Sequence, residues 1–241
     1  MTGTGGQPDA AIDDDARRHL ADVSTWAAAA PDRAIDAIGY LDPQLAVDRA
    51  SGQLVHWARS TVVDENTGEP VLAATVLRAL GDRAGIEVRY PTANAGLVHV
   101  YGYLLSPAPT PYGPKRARWT DGDLARALGH HPHHFRPWRI PAGESLLGRV
   151  TASALPIALG EATDHVLLAR EDDDGRGGLL RTVVWKSPGA AAGALVYAHV
   201  TTRCRLVTVF PVPATPEWLA DLAALPSSPP HPRYNAVVTD A

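Results

Sequence analysis

The runs of β-branched and aromatic residues in this 241-residue chain are separated mostly by connections of a few residues. That spacing constrains the fold more than any other feature. Parallel strands need a crossover of roughly a dozen residues or more, whereas antiparallel neighbours are joined by tight turns. LVHWARSTVV (54–63) and PVLAATVLRAL (70–80) read as strands flanking Asp64-Glu65-Asn66-Thr67-Gly68-Glu69, a hairpin turn with a glycine to take a positive φ. Ile86, Val88 and Tyr90 alternate in a third strand, and LVHVYGYLLS (97–106) reads as a fourth. Strand patterns resume in DHVLLARE (164–171), LLRTVVWKS (179–187), AGALVYAHVTT (192–202) and CRLVTVFPV (204–212).

Helices are expected at both ends. Asp13, Asp14 and Asp15 suit the positive end of a helix running to Ala30, with Ala16, Leu20, Val23 and Ala27 on one stripe. Near the C-terminus, Thr215 caps a helix that has Pro216 in its first turn and runs to about Leu225. Between the strand regions, a Pro-rich segment (106–119), a short helix (121–128) and a long loop (130–148) are expected. The reading is an α+β protein: a mostly antiparallel curved sheet, partly closed or two-layered, flanked by N- and C-terminal helices. Residues 1–12 are expected to be a flexible tail, 13–226 a single domain and 227–241 a C-terminal arm.

Composition narrows the function classes. A net charge of -4 argues against a phosphate-tracking surface, so no nucleic-acid partner is expected. No apolar run is long enough to span a bilayer, and the first residues do not form a secretory signal, so a cytoplasmic protein is expected. Cys204 is the single cysteine, which excludes an internal disulfide. Lys115 and Lys186 are the only lysines, a bias toward arginine that suits a GC-rich bacterial genome and lowers the weight of any arginine cluster. No phosphate loop, dinucleotide fingerprint or nucleophile elbow is present, and no cofactor is expected.

Candidate chemistry lies in three places. On a strand over 97–106, His99, Tyr101 and Tyr103 share one face, a polar aromatic stripe fit to line a pocket, with His99 as general acid or base. The Pro-rich segment places Lys115, Arg116 and Arg118 on a loop leaving that strand, where they would hold a carboxylate or phosphate. Lys115, crowded by Arg116, also meets the condition for a Schiff-base amine. Further along, Arg181 and Trp185 share a strand face as a carboxylate clamp, and His199 is a further binding candidate. The HHPHH run (130–134) is dense in ligands but lacks the spacing of a metal motif, so no metal is assigned.

Tyr112-Gly113-Pro114-Lys115-Arg116 resembles the aromatic-Gly-Pro-Lys-Lys stretch of the acetoacetate decarboxylase-like family, with Arg116 in place of the second lysine. The resemblance covers those five residues and implies a Schiff-base role for Lys115. The leading expectation is acid/base chemistry, such as elimination, isomerisation or cyclisation, on a small anionic, carboxylated metabolite. The alternatives are a Lys115 Schiff-base decarboxylase or aldolase, and a non-catalytic domain binding a small molecule or protein. The proline-rich arm near Ser227–Pro232 is a candidate contact for a second copy.

Overall fold

A computed structural model describes residues 7–110, 113–227 and 231–238. The chain opens with α1 (Gln7–Ala29), α2 (Pro31–Ala37) and α3 (Asp42–Ser51). Helix α1 therefore starts six residues before the expected Asp13. Short strands β1 (Arg59–Thr61) and β2 (Thr92–Asn94) bracket α4 (Ala74–Ala84). A buried helix over 95–104 follows, with a wide-turn π segment at Leu97–Gly102. The two-residue strands β3 (Pro109–Thr110) and β4 (Gly113–Pro114) pair, and Tyr112 of the family-like stretch lies outside the described residues. Helices α5 (Ala117–Thr120), α6 (Asp123–Ala127) and α7 (Leu146–Leu159) complete the helical layer.

The second half forms a four-stranded antiparallel sheet of β5 (Val166–Asp173), β6 (Leu179–Trp185), β7 (Gly193–Val200) and β8 (Cys204–Val212), in that order. Val183, Val196, Ala198 and Val209 pack into the helical core, whereas Leu180, Val184, Leu195 and Tyr197 belong to a second core covered by α8 (Pro216–Ala224) and the C-terminal segment. That segment carries β9 (Ala236–Val237), which pairs with β1 in a second sheet ordered β2-β1-β9. The Ala58 amide donates to the Leu206 carbonyl at 2.8 Å, tying the small sheet to β8. The fold is α+β with antiparallel sheets that do not close into a barrel. No helix among the described residues is long and apolar enough to cross a membrane.

Of the expected N-terminal meander, 54–63 keeps only β1 and 86–90 carries only an isolated bridge at Arg89, while 70–80 and 97–106 are largely helical, for identifiable reasons. PVLAATVLRAL is β-branched at Val71, Thr75 and Val76, but the buried residues of α4 are Val76, Leu77, Leu80, Gly81 and Ala84, a helical repeat. The 95–106 run is buried at every position, so its alternation of aromatic and aliphatic residues carried no facing information. Gly96 admits this helix to the core: a Cβ there would lie 2.8 Å from Leu147 and 2.9 Å from the Trp57 ring. The loop expected over 130–148 ends instead in the first residues of α7. Ser145 caps it by accepting the Gly148 amide at 2.8 Å, and Pro156 inside it obscures the helical pattern.

A candidate small-molecule pocket

The helical conformation of 95–104 redistributes the expected stripe. Residues four apart share a helix face and residues two apart do not. His99 and Tyr103 are neighbours, their rings edge-to-face at 4.7 Å, while Tyr101 points to the far side and donates to Asp48.

Tyr103 is the hub of the near side. Lys115 Nζ lies 4.6 Å from its ring centroid and Arg118 Cζ 5.2 Å, so two cations and an imidazole surround one aromatic ring. Local backbone chemistry fixes Lys115. Its partner Asp64 starts the turn before Pro70, where Oδ1 accepts the Asn66 amide at 2.9 Å and Gly68 takes φ +71°. The free oxygen, Oδ2, accepts from Lys115 Nζ at 2.6 Å, with both side chains 6% exposed. Arg118, on α5, donates from Nη1 to Thr208 Oγ1 on β8 at 2.9 Å. Its Nε is buried with no partner, and no carboxylate forms an ion pair with it among the described residues. An arginine desolvated in this way is costly unless an anion completes it.

These groups line a cavity of about 310 Å³ with Glu65, Asp121, Asp123, Phe210, Trp218 and Tyr234. That is the lower end of the range of roughly 300–1,000 Å³ for small-ligand sites. The C-terminal segment closes one wall. Tyr234 and Asn235 take φ +55° and +61°, the left-handed region, which is unusual for a tyrosine. They are held there because Glu65 Oε2 accepts the Tyr234 amide at 2.7 Å and Asn235 Nδ2 donates to the Val63 carbonyl at 2.8 Å.

Electrostatics follow from this crowding. Burial, reinforced by Arg118 and Lys115, holds the His99 imidazole well below its usual range, so it is neutral at physiological pH. Burial pushes Arg118 down to about 10 and lowers Lys115 despite Asp64. Glu65, which also lines the cavity, has its carboxyl raised from the ordinary value by desolvation and by the neighbouring Asp64 charge, against the Tyr234 amide that it accepts. The site thus holds a neutral base, an acid of raised pKa and an arginine without a counter-ion.

Of the residues singled out in the sequence, His99, Tyr103, Lys115 and Arg118 meet at this cavity and five do not. Tyr101 is engaged with Asp48, and Arg116 donates to Ser24 Oγ on α1 at 3.1 Å. Arg181 pairs with Glu171 and donates to the Ala158 carbonyl at 2.6 Å, bracing α7 on the sheet. Trp185 stands against His165, with ring centroids 5.4 Å apart, and His199 contacts Asp174 at 2.7 Å. In the histidine run, His130 and His134 stack at 4.1 Å while His131 and His133 form a separate edge contact. No three His, Cys, Asp or Glu side chains converge as a metal set among the described residues.

Sequence reading missed Asp64, Glu65, Thr208, Phe210, Trp218 and Tyr234. The available signal was the Asp-x-x-x-Gly turn, which immobilises Asp64 whatever its exposure; the others depend on long-range packing. No family model, curated protein or solved structure matches the chain, so the likeness to the acetoacetate decarboxylase-like family rests on residues 112–116 alone.

Proposed function

We propose that this cavity binds a small carboxylated molecule with a flat apolar body and that the protein catalyses proton-transfer chemistry on it. The observation that carries this reading is Arg118: a half-buried guanidinium at a cavity, whose Nε is buried without a partner and which has no carboxylate counter-ion among the described residues. A ligand carboxylate supplies the missing acceptor through charge-assisted hydrogen bonds. Phe210, Trp218 and Tyr234 suit an aromatic or planar body. Neutral His99 is the base, and Glu65, whose raised pKa keeps more of it protonated, is the acid.

A second reading makes Lys115 a Schiff-base nucleophile. Its lowered proton affinity and its place in the cavity wall favour it. The 2.6 Å contact with Asp64 opposes it, because an ammonium held by a carboxylate has no lone pair to attack a carbonyl.

The test incubates the protein with a panel of aromatic keto and hydroxy acids in deuterium oxide and follows exchange or conversion by NMR, in parallel with borohydride treatment and mass spectrometry. Exchange or turnover lost in His99→Gln, without a borohydride adduct, is the expected result. An adduct on Lys115 would install the second reading. Saturable binding with neither exchange nor turnover would leave a binding domain.

A further inference from the structure

His99 reaches the cavity with one ring nitrogen already engaged. Its Nε2 lies 2.7 Å from Ser60 Oγ, and Ser60 Oγ lies 2.7 Å from the Asn235 carbonyl oxygen. The other nitrogen, Nδ1, is buried without a partner. Ser60 has a single proton to give, so the two contacts cannot both take it.

Both ring nitrogens select the same arrangement. If Nε2 were bare, Ser60 would donate to it, and the hydroxyl and carbonyl oxygens would face each other at 2.7 Å with no proton between them. If Nε2 carries the proton, it donates to Ser60 Oγ, Ser60 donates to the Asn235 carbonyl in preference to the longer contact at 3.4 Å with the Thr61 carbonyl, and both 2.7 Å contacts are satisfied. At Nδ1 a proton would have no acceptor. A buried N–H without an acceptor is among the rarest defects in folded proteins, while an under-used acceptor is tolerated more often.

We infer that Ser60 and the Asn235 carbonyl hold His99 as its Nε2–H tautomer, leaving Nδ1 as a hydrogen-bond acceptor, and that the ligand of this cavity is therefore a carboxylic acid bearing a hydrogen-bond donor, a hydroxy acid being the simplest. Ser60 is a positioning residue, acting through His99. The ligand half rests on the carboxylate-binding reading above; the tautomer half stands without it. The inference specifies two groups on one molecule: a carboxylate for Arg118 and a hydroxyl for His99 Nδ1.

The tautomer is read directly by proton–nitrogen correlation NMR of the imidazole rings at neutral pH, with His99 assigned by its loss in His99→Gln. The expected pattern is a protonated Nε2 and a bare Nδ1; a protonated Nδ1 would overturn the assignment. In Ser60→Ala the two tautomers should mix, and an unchanged pattern would remove Ser60 from the account. Phenyllactate and phenylpropanoate, which differ by one hydroxyl, test the ligand half by calorimetry. Phenyllactate should bind about tenfold more tightly, the worth of one good hydrogen bond. That preference should vanish in His99→Gln and shrink in Ser60→Ala. Equal affinities would overturn the hydroxy-acid assignment. If neither probe binds while the tautomer is as assigned, the carboxylate-binding reading fails, and the ligand half with it.

Discussion

The two sides of the 95–104 helix make opposite uses of buried polar groups. On the Tyr101 side, Asp48 is fully buried and accepts from the hydroxyls of Tyr101 and Ser145, and Ser145 in turn caps α7. On the His99 and Tyr103 side, Arg118 Nε and His99 Nδ1 are left without partners beside a cavity. Both sides hold ionisable groups with shifted pKa values, so perturbation alone does not distinguish them. What differs is completion. The Asp48 cluster is saturated by its own fold and joins α3, the central helix and α7; the Tyr103 cluster has space and unmet hydrogen-bonding capacity. A ligand site is recognised here by what the protein leaves unmade.

The sharpest way to break this contrast is to remove one half of a saturated pair. Lys115→Met strands Asp64 as a buried carboxylate without its cation and should lower unfolding stability by about 3 kcal/mol, measured by urea denaturation. The double variant Lys115→Met/Asp64→Asn should recover much of that loss. A harmless single variant would mean that the pair is not desolvated.

Next in size is a pH effect on the closed side. Burial raises the Asp48 carboxyl from 3.8 to about 6 against the lowering influence of its two hydroxyl donors. An acid whose folded pKa is raised binds its proton more tightly when folded. Its contribution is therefore fully present below about pH 4 and lost as pH rises through about 6, by an amount on the order of 3 kcal/mol. Urea midpoints between pH 4 and 7 should fall more steeply in the wild type than in Asp48→Asn, with the difference confined to the interval set by these two values. Parallel curves would deny the shift.

Smaller still, Tyr101→Phe deletes one donor to Asp48 and should cost about 1 kcal/mol of stability while leaving probe binding at the cavity unchanged. A loss of binding would show that the two sides of the helix are coupled rather than separate.

Legibility in the sequence divides along the chain. The four strands of the large sheet were readable because each is an apolar run, β-branched in all but β5, bounded by turn residues, as in Asp174-Gly175-Arg176-Gly177-Gly178 between β5 and β6. Thr215-Pro216-Glu217 likewise marked α8, where Thr215 caps the helix. The first half misled because buried helices carry no polar face: LVHVYGYLL is apolar or aromatic all round and has no helical stripe. That error grouped Tyr101 with His99 and Tyr103. Lys115 and Arg118 were visible as a rare lysine and a nearby arginine on a constrained loop, although Arg116, between them, turns to α1 instead. Arg181, expected as a carboxylate clamp, is paired within the protein: Glu171 sits directly opposite it on β5, a register unavailable before the strands are aligned. The aromatic wall was invisible, since Phe210, Trp218 and Tyr234 come from three separate elements.

The most direct test of the central claim compares two arginines with opposite pairing. Phenylpropanoate and its amide are titrated by calorimetry into wild type, Arg118→Met and Arg181→Met. The account predicts saturable binding of the acid to wild type and Arg181→Met, a loss of about 10- to 100-fold in Arg118→Met, and weak binding of the amide throughout. Undiminished binding of the acid to Arg118→Met, or equal binding of acid and amide, would contradict it.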